Sequence, residues 1–397
     1  MIQITALDHN GKGIGKINNK IVFVENALPT EIVDIKILKE KKNFIEAETN
    51  KIVSASKNRI DSPCPYFNKC GGCDLLHMKY EDMIKFKQNK IENILNRYLN
   101  KEIKINNIVE SDNQFYYRNK VTFQVKENIG FYKNNTYSII PIEKCLISNK
   151  LINECLPYLK KLELKYINKI ICKSSINELM IIIETNKKNL NIEYLKEIAT
   201  SIYIKHNNQY NLIYGNKYIT QTIGKYKYLV SPDSFFQINL DICFKLYSKI
   251  KEYVGNNNNI LDLYCGTGSI GIFVSENNNV LGIEINQSAI KDAKKNAKIN
   301  NIKNIEFICG ESGKKIGNIR FKPDIIIVDP PRSGLSKETI NNIFKINPEK
   351  LIYVSCDPMT LVRDLKLLNE KYEIIELTPF DMFPNTKHIE CLVELRR

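Results

Sequence analysis

No apolar run in this sequence is long enough to cross a bilayer; the longest are strand-like stretches such as Leu179 to Ile183. The opening Met-Ile-Gln-Ile-Thr lacks a charged segment followed by an apolar one, so no secretory signal is read there. A cytoplasmic location with reduced thiols is therefore expected, and no membrane partner. There is no tryptophan and no internal repeat, and histidine is scarce at 4 of 397 residues. Cysteine is not scarce. Eleven is an odd count, which in a reducing compartment points away from a disulfide framework and towards metal binding, catalysis or burial. Hydrophobic residues at 43% exclude wholesale disorder, and the length allows two or three domains.

Lys and Arg number 58 against 44 Asp and Glu, a formal net charge of +14. The excess comes with runs such as Asn256-Asn257-Asn258-Asn259, a Lys/Asn/Ile bias that AT-rich coding DNA would produce without any polyanionic partner. A solvated basic surface and a nucleic-acid footing are thus equally good readings of charge alone.

Three segments are expected. Residues 1–55 alternate apolar and polar between Gly, Pro and Asn turns, as in Ile32-Val33-Asp34-Ile35-Lys36-Ile37, which predicts a small β-barrel. Residues 56–230 open on a turn-rich cysteine knot, Cys64 to Cys73. A helix follows over about Lys79 to Leu99, with Met83, Phe86, Ile91, Ile94, Leu95 and Tyr98 on one face. Strands come next, with helical pieces near Asn149 to Lys160 and Ile192 to Ile204. Residues 231–397 alternate apolar strands and helices, which predicts an α/β fold with a parallel sheet covered on both faces. Tyr372 to Pro379 and His388 to Leu395 have no helix between them and should pair antiparallel at one edge.

Asp262-Leu263-Tyr264-Cys265-Gly266-Thr267-Gly268-Ser269-Ile270-Gly271 lies at the end of the first strand of that third segment. It satisfies the dinucleotide fingerprint, with Glu284 at the next strand end to hold a ribose, so an NAD enzyme is an alternative on this motif alone. In an open α/β sheet, ligands bind beyond the carboxyl ends of the strands. Those ends carry Tyr264, Glu284, Glu311, Asp329 and Cys356. Asp329-Pro330-Pro331-Arg332 is a carboxylate followed by a stiff turn, suited to aligning a flat base or a sulfonium and of no use to a dehydrogenase. Cys356, before Asp357-Pro358, stands at a helix start that would stabilise a thiolate, the best nucleophile for an electron-poor ring carbon; a plain buried thiol is the alternative. His388 and Glu390 should share one face of the last strand by its period of two, making Glu390 a candidate base.

Taken in order, these motifs resemble the RNA 5-methyluridine methyltransferase family, specifically its iron–sulfur-containing 23S rRNA uracil-C5 type. The resemblance spans the chain and adds Tyr117-Arg118-Asn119-Lys120, Gly130-Phe131-Tyr132 and Ser231-Pro232-Asp233-Ser234-Phe235-Phe236-Gln237-Ile238-Asn239. It implies an N-terminal TRAM domain over residues 1–55, an OB-like RNA-binding β-barrel. It implies a central β-rich iron–sulfur domain over 56–230, and a Rossmann-like class I S-adenosylmethionine-dependent domain over 231–397. It implies that Gln237, Tyr264, Ser269, Glu284, Glu311 and Asp329 bind the cofactor and that Phe235 stacks near the target base. Cys356 is then the nucleophile and Glu390 the general base. Four thiolates at Cys64, Cys70, Cys73 and Cys145 would suit Zn²⁺ by spacing, and the resemblance turns the choice to a [4Fe–4S] cluster. The other six cysteines are expected in cores. The implied activity is methylation of C5 of a 23S rRNA uridine through a covalent Cys–C6 adduct, the alternatives being the same reaction on a tRNA uridine or a non-catalytic RNA-binding iron–sulfur protein; the implied partner is 23S rRNA. No obligate protein partner is implied, so a monomer is expected.

Overall fold

The computed structural model describes residues 1–99, 102–134, 136–187, 189–317 and 319–397. The chain divides into two compact units. The first comprises Met1–Lys90, Gly130–Ile142 and Phe383–Lys387; the second comprises Ile91–Ile129, Glu143–Met382 and His388–Arg397.

In the first unit the alternating sequence makes a six-stranded sheet. Its order is Ile2–Gln3, Ile32–Glu40, Phe44–Ser54, Lys20–Glu25, Gly13–Ile17 and Ala6–Leu7. Val22, Val24, Val33, Ile45 and Ala47 point into one core with Ile2 and Ile4, as the period of two requires. Glu31 is buried at its end. It accepts from Arg59 Nε at 2.5 Å, from the Leu28 N–H at 2.8 Å and from the Ser56 N–H at 3.2 Å.

The second unit holds the sheet expected over the third segment. Ile305–Cys309, Asn279–Glu284, Asn259–Leu263, Ile325–Val328 and Lys350–Ser355 lie parallel in that order. Glu390–Arg396 then runs antiparallel, followed by Glu373–Phe380. This last pair forms as expected but is not the edge. Lys104–Ile105 adds one more parallel strand beyond Glu373–Phe380. Central strands are apolar on both faces, as burial between two helix layers demands. Leu261, Leu263, Ile326, Val328, Leu351 and Tyr353 pack against Ile340, Ile343, Leu361 and Leu365. Ile91 and Leu95, from the second half of the helix Tyr80–Tyr98, join that core.

A second sheet in this unit contains Lys120–Val125, Ile167–Ser174, Leu179–Thr185, Ser201–His206 and Gln209–Gly215. The helix Lys150–Leu159 packs on one face, where Cys155 Sγ lies 3.8 Å from Cys172 Sγ. The helix expected over Ile192 to Ile204 is not formed. A short turn of 3₁₀ helix, Glu193–Glu197, gives way to the strand Ser201–His206. A brief apolar run reads as either element, and here its β-branched and aromatic residues found a parallel neighbour in Leu179–Thr185.

Burial works to raise the Glu31 carboxyl, but Arg59 and the Leu28 and Ser56 N–H groups outweigh it and hold it below its ordinary value. That stabilisation is present above the usual carboxylate range and is lost as pH falls through the lowered value. Glu31→Ala should cost about 3–5 kcal/mol by leaving Arg59 uncompensated. It should also flatten the acid limb of a thermal-melting series.

Candidate active site

The strand Asn259–Leu263 ends in a turn that only particular backbones can make. Tyr264 adopts φ 62°, costly for a bulky residue. Gly268 has φ 75°, and a Cβ there would meet the Phe307 ring at 2.7 Å. In front of Gly266 a Cβ would meet nothing within 4 Å, so this stretch of backbone borders open space. The turn is held by carboxylates. The Gly266 N–H donates to Glu284 Oε2 at 3.1 Å and the Asn286 N–H to Oε1 at 2.8 Å. The Gly271 N–H donates to Asp262 Oδ2 at 3.0 Å, while Asp262 Oδ1 is buried with no hydrogen-bond partner.

The strand pairing brings four of the expected site residues to one end of the sheet: Tyr264, Glu284, Asp329 and Cys356. Ser355 pairs with Cys391, so Cys356 and Glu390 are the next positions on neighbouring strands, and Glu390 joins them. Glu390 is only 4% exposed, and Phe380 pairs with it from the other side. His388 lies outside the strand, which begins at Glu390.

Asp329 acts by charge on two other buried carboxyls, Asp262 and Glu390. Burial, then Asp329 and Glu284, push Asp262 up to about 8. Burial pushes Asp329 up to about 7. Burial and Asp329 push Glu390 well above its ordinary value, with Arg332 opposing. Such a pocket disfavours an anionic ligand such as a pyrophosphate and accommodates a sulfonium cation. The orphaned Asp262 oxygen and the open space before Gly266 fit a polar cofactor bound along this turn. When bound, S-adenosylmethionine supplies an electrophilic methyl group.

Burial raises the Cys356 thiol to about 11, Glu390 and Asp329 add to the rise, and Arg332 opposes it through charge and a hydrogen bond. The thiolate expected from the helix start is thus corrected. The helix Pro358–Leu368 has its first N–H groups taken by Asp357, whose Oδ1 accepts from Met359 at 3.1 Å and Thr360 at 2.9 Å. The cation that faces the thiol is Arg332, which the Asp-Pro-Pro-Arg motif contained without a role being read for it.

The remaining expected residues are placed as follows. Ser269 opens the short helix Ser269–Val274, and its Oγ is hydrogen-bonded to Tyr247 OH at 2.7 Å. Glu311 is exposed and pairs with Lys314 at 2.7 Å. Tyr264 OH lies 3.3 Å from Thr339 Oγ1. Phe235 projects into solvent at 63% exposure, while Phe236 beside it is buried against Tyr228. Gln237 is half-buried, and its carbonyl accepts from Asn119 Nδ2 at 2.9 Å.

Cys64, Cys70, Cys73 and Cys145 are each half-buried. The knot is tied by backbone bonds, Phe67 N–H to Cys64 O at 3.1 Å and Cys70 N–H to Tyr66 O at 2.9 Å. Cys145 is tied by Asn153, which bonds its N–H and its carbonyl. Among the described residues no three or more His, Cys, Asp or Glu converge as a metal site. Of the six cysteines expected in cores, five are buried and Cys309 is half-exposed at its strand end.

Comparison with known proteins gives the family. Residues 79–397 match the family described as tRNA (Uracil-5-)-methyltransferase, and residues 1–49 match the TRAM domain. An uncharacterized RNA methyltransferase of Clostridium acetobutylicum is 36% identical over 100% of this chain and 96% of that protein. One from Staphylococcus aureus is 34% identical over 98% and 96%. The crystal structure of Pyrococcus abyssi tRNA (uracil-54, C5)-methyltransferase with S-adenosyl-L-homocysteine superposes with a TM-score of 0.83. It shares 28% identity and covers 100% of this chain and 99% of that one. The class is therefore an S-adenosylmethionine-dependent methyltransferase fold preceded by a TRAM domain of strands. The chain belongs to the tRNA (uracil-5-)-methyltransferase family, enzymes that methylate uracil C5 in RNA. An NAD oxidoreductase and a protein outside the enzyme class are set aside. Among the described residues no helix is long and apolar enough to cross a membrane.

The charges around Cys356 make opposite predictions for two variants. Site-resolved alkylation of Cys356 by iodoacetamide should have its pH midpoint lowered in Glu390→Gln and raised in Arg332→Gln. Equal midpoints in both would remove these two groups from the thiol's surroundings.

Proposed function

We propose that the protein methylates C5 of a uridine in 23S rRNA, as a cytoplasmic monomer, with Cys356 as nucleophile and Glu390 as general base. The observation that carries this is the strand register that sets Cys356 beside Glu390, with Arg332 opposing the charge of the carboxylate. The Cys356 sulfur bonds to C6 of the uracil, which makes C5 electron-rich enough to accept the methyl group. Glu390 then takes the C5 proton and the S–C6 bond breaks, expelling the Cys356 thiolate and restoring the C5–C6 double bond of the ring. A raised carboxyl suits that role, because a stronger base holds the proton it removes. Gln237, Tyr264, Ser269, Glu284, Glu311 and Asp329 are the residues proposed to hold the cofactor. Phe235 would replace the stacking that an extruded uracil loses.

A tRNA uridine is the second reading, favoured by the family description and by the activity named for the Pyrococcus protein. We also propose Cys64, Cys70, Cys73 and Cys145 as ligands of a [4Fe–4S] cluster in a central domain over 56–230, outside the methyl-transfer chemistry. What supports it is the donor set, three thiols within ten residues and a fourth held by Asn153.

RNA carrying 5-fluorouridine should trap a covalent protein–RNA adduct, since the fluorine cannot leave as a proton. Cys356→Ala should form none, and an equal yield from it would exclude Cys356. With natural RNA the rate should climb with pH through neutrality, because Glu390 and Cys356 must both lose protons, and Glu390→Gln should lower kcat by at least about 100-fold. Mapping 5-methyluridine in rRNA and tRNA from a deletion strain decides between the two substrates. Anaerobically purified protein should be brown and contain iron and sulfide; a colourless zinc protein would overturn the cluster.

A further inference from the structure

Behind Phe235 lies a buried cation that the methyl-transfer chemistry does not use. Lys173, in the strand Ile167–Ser174, is only 3% exposed. Its Nζ donates to the carbonyls of Ser231 and Ser234, each at 2.8 Å. These two carbonyls bracket the turn that ends one residue before Phe235. Ser234 Oγ closes the same turn, accepting from the Ser231 N–H at 3.0 Å and donating to Ser231 O at 3.1 Å. On the far side of the turn the Ser231 hydroxyl donates to Asp233 at 2.9 Å, and Asp292 of the helix Gln287–Ile299 lies close enough to act on Lys173 by charge. Asp292 is itself buried with one oxygen unpartnered. Burial pulls the Lys173 ammonium down to about 7. Lys120, its partner in register on the neighbouring strand, adds to the fall; Asp233 and Asp292 oppose it.

A desolvated lysine without strong reason to stay is replaced cheaply by an apolar residue. Here the ammonium gains two charge-assisted bonds to main-chain oxygens, which hold a backbone in place whatever its side chains do. We infer that Lys173 is a positioning residue for substrate RNA: it clamps the Ser231–Ser234 turn and so sets where Phe235 presents its ring. The inference rests on the reading of Phe235 as the surface that meets the target base. Lys173 touches no reacting atom, so its loss acts on RNA binding before it acts on chemistry.

Because the chain has no tryptophan, Phe235→Trp gives a single indole at this position. In that background Lys173→Met should lower the indole's steady-state anisotropy relative to Phe235→Trp alone. In the native background Lys173→Met should raise KM about tenfold for total rRNA or tRNA from the deletion strain, a loss of the size of one stacking contact. The kcat and the S-adenosyl-L-homocysteine affinity should stay within about threefold. Unchanged anisotropy, or a fall in kcat with KM kept, overturns the inference. Should Lys173→Met fail to bind S-adenosyl-L-homocysteine, Ser234→Ala decides by the same criteria, since it loosens the same turn without disturbing the buried cation. Absence of a 5-fluorouridine adduct in the wild type would instead refute the methyl-transfer reading, and the anisotropy comparison stands apart from activity.

Discussion

Burial of carboxyl groups at the carboxyl end of a parallel sheet is the constraint on which the site depends. Asp262, Asp329 and Glu390 are all removed from water, Asp329 acts on both of the others, and each is driven towards its neutral form. A parallel sheet has no other place for them, since its faces are apolar and covered by helices. The cost of this burial is offset partly by backbone N–H groups from the glycine turn and partly by Arg332. A cationic cofactor would complete the compensation. The same crowding that raises the Glu390 carboxyl also raises the Cys356 thiol, so the two groups are tuned by one field.

The site is also held from behind. The segment Ser231–Asn239 is irregular backbone, and it is braced wherever it could drift. Lys173 holds its first turn, Asn119 bonds the backbone at Gln237 and Ile238, and Asn239 caps the helix Leu240–Val254. Phe236 is buried against Tyr228, which leaves Phe235 outside. Consecutive phenylalanines with opposite fates are what a pinned extended segment produces. The Tyr117-Arg118-Asn119-Lys120 motif thus has a mechanical sense: its amide and its strand lie beneath the loop that carries Phe235.

Much of the parallel sheet was legible from apolar strands punctuated by helical stretches, and so were the residues at its strand ends. The motif order supplied Cys356 and Glu390. What was misread shares a cause. The Ile192 to Ile204 run had no neighbour in the sequence to say that it would pair with Leu179–Thr185. The strand Lys104–Ile105 is two residues long, too short to carry a pattern, and joins the sheet only because Glu373–Phe380 offers an edge. Lys173 lies near the end of an apolar strand and looks like an ordinary solvated lysine until a loop nearly sixty residues away closes over it.

The sequence by itself determined the chemistry available: a thiol, a set of carboxylates at strand ends, a glycine turn and a stiff Asp-Pro-Pro-Arg loop. Periodicity reports which face of an element is apolar, and motif spacing reports which groups can share a strand end. Only the tertiary structure decided how those groups would ionise. The Cys356 thiol looked favoured by a helix start, but Asp357 takes the N–H groups there, and the carboxyl of Glu390 lies alongside through a register that no local pattern encodes. Charge state depends on burial and on neighbours in space, and both are set when strands distant in the chain are laid side by side.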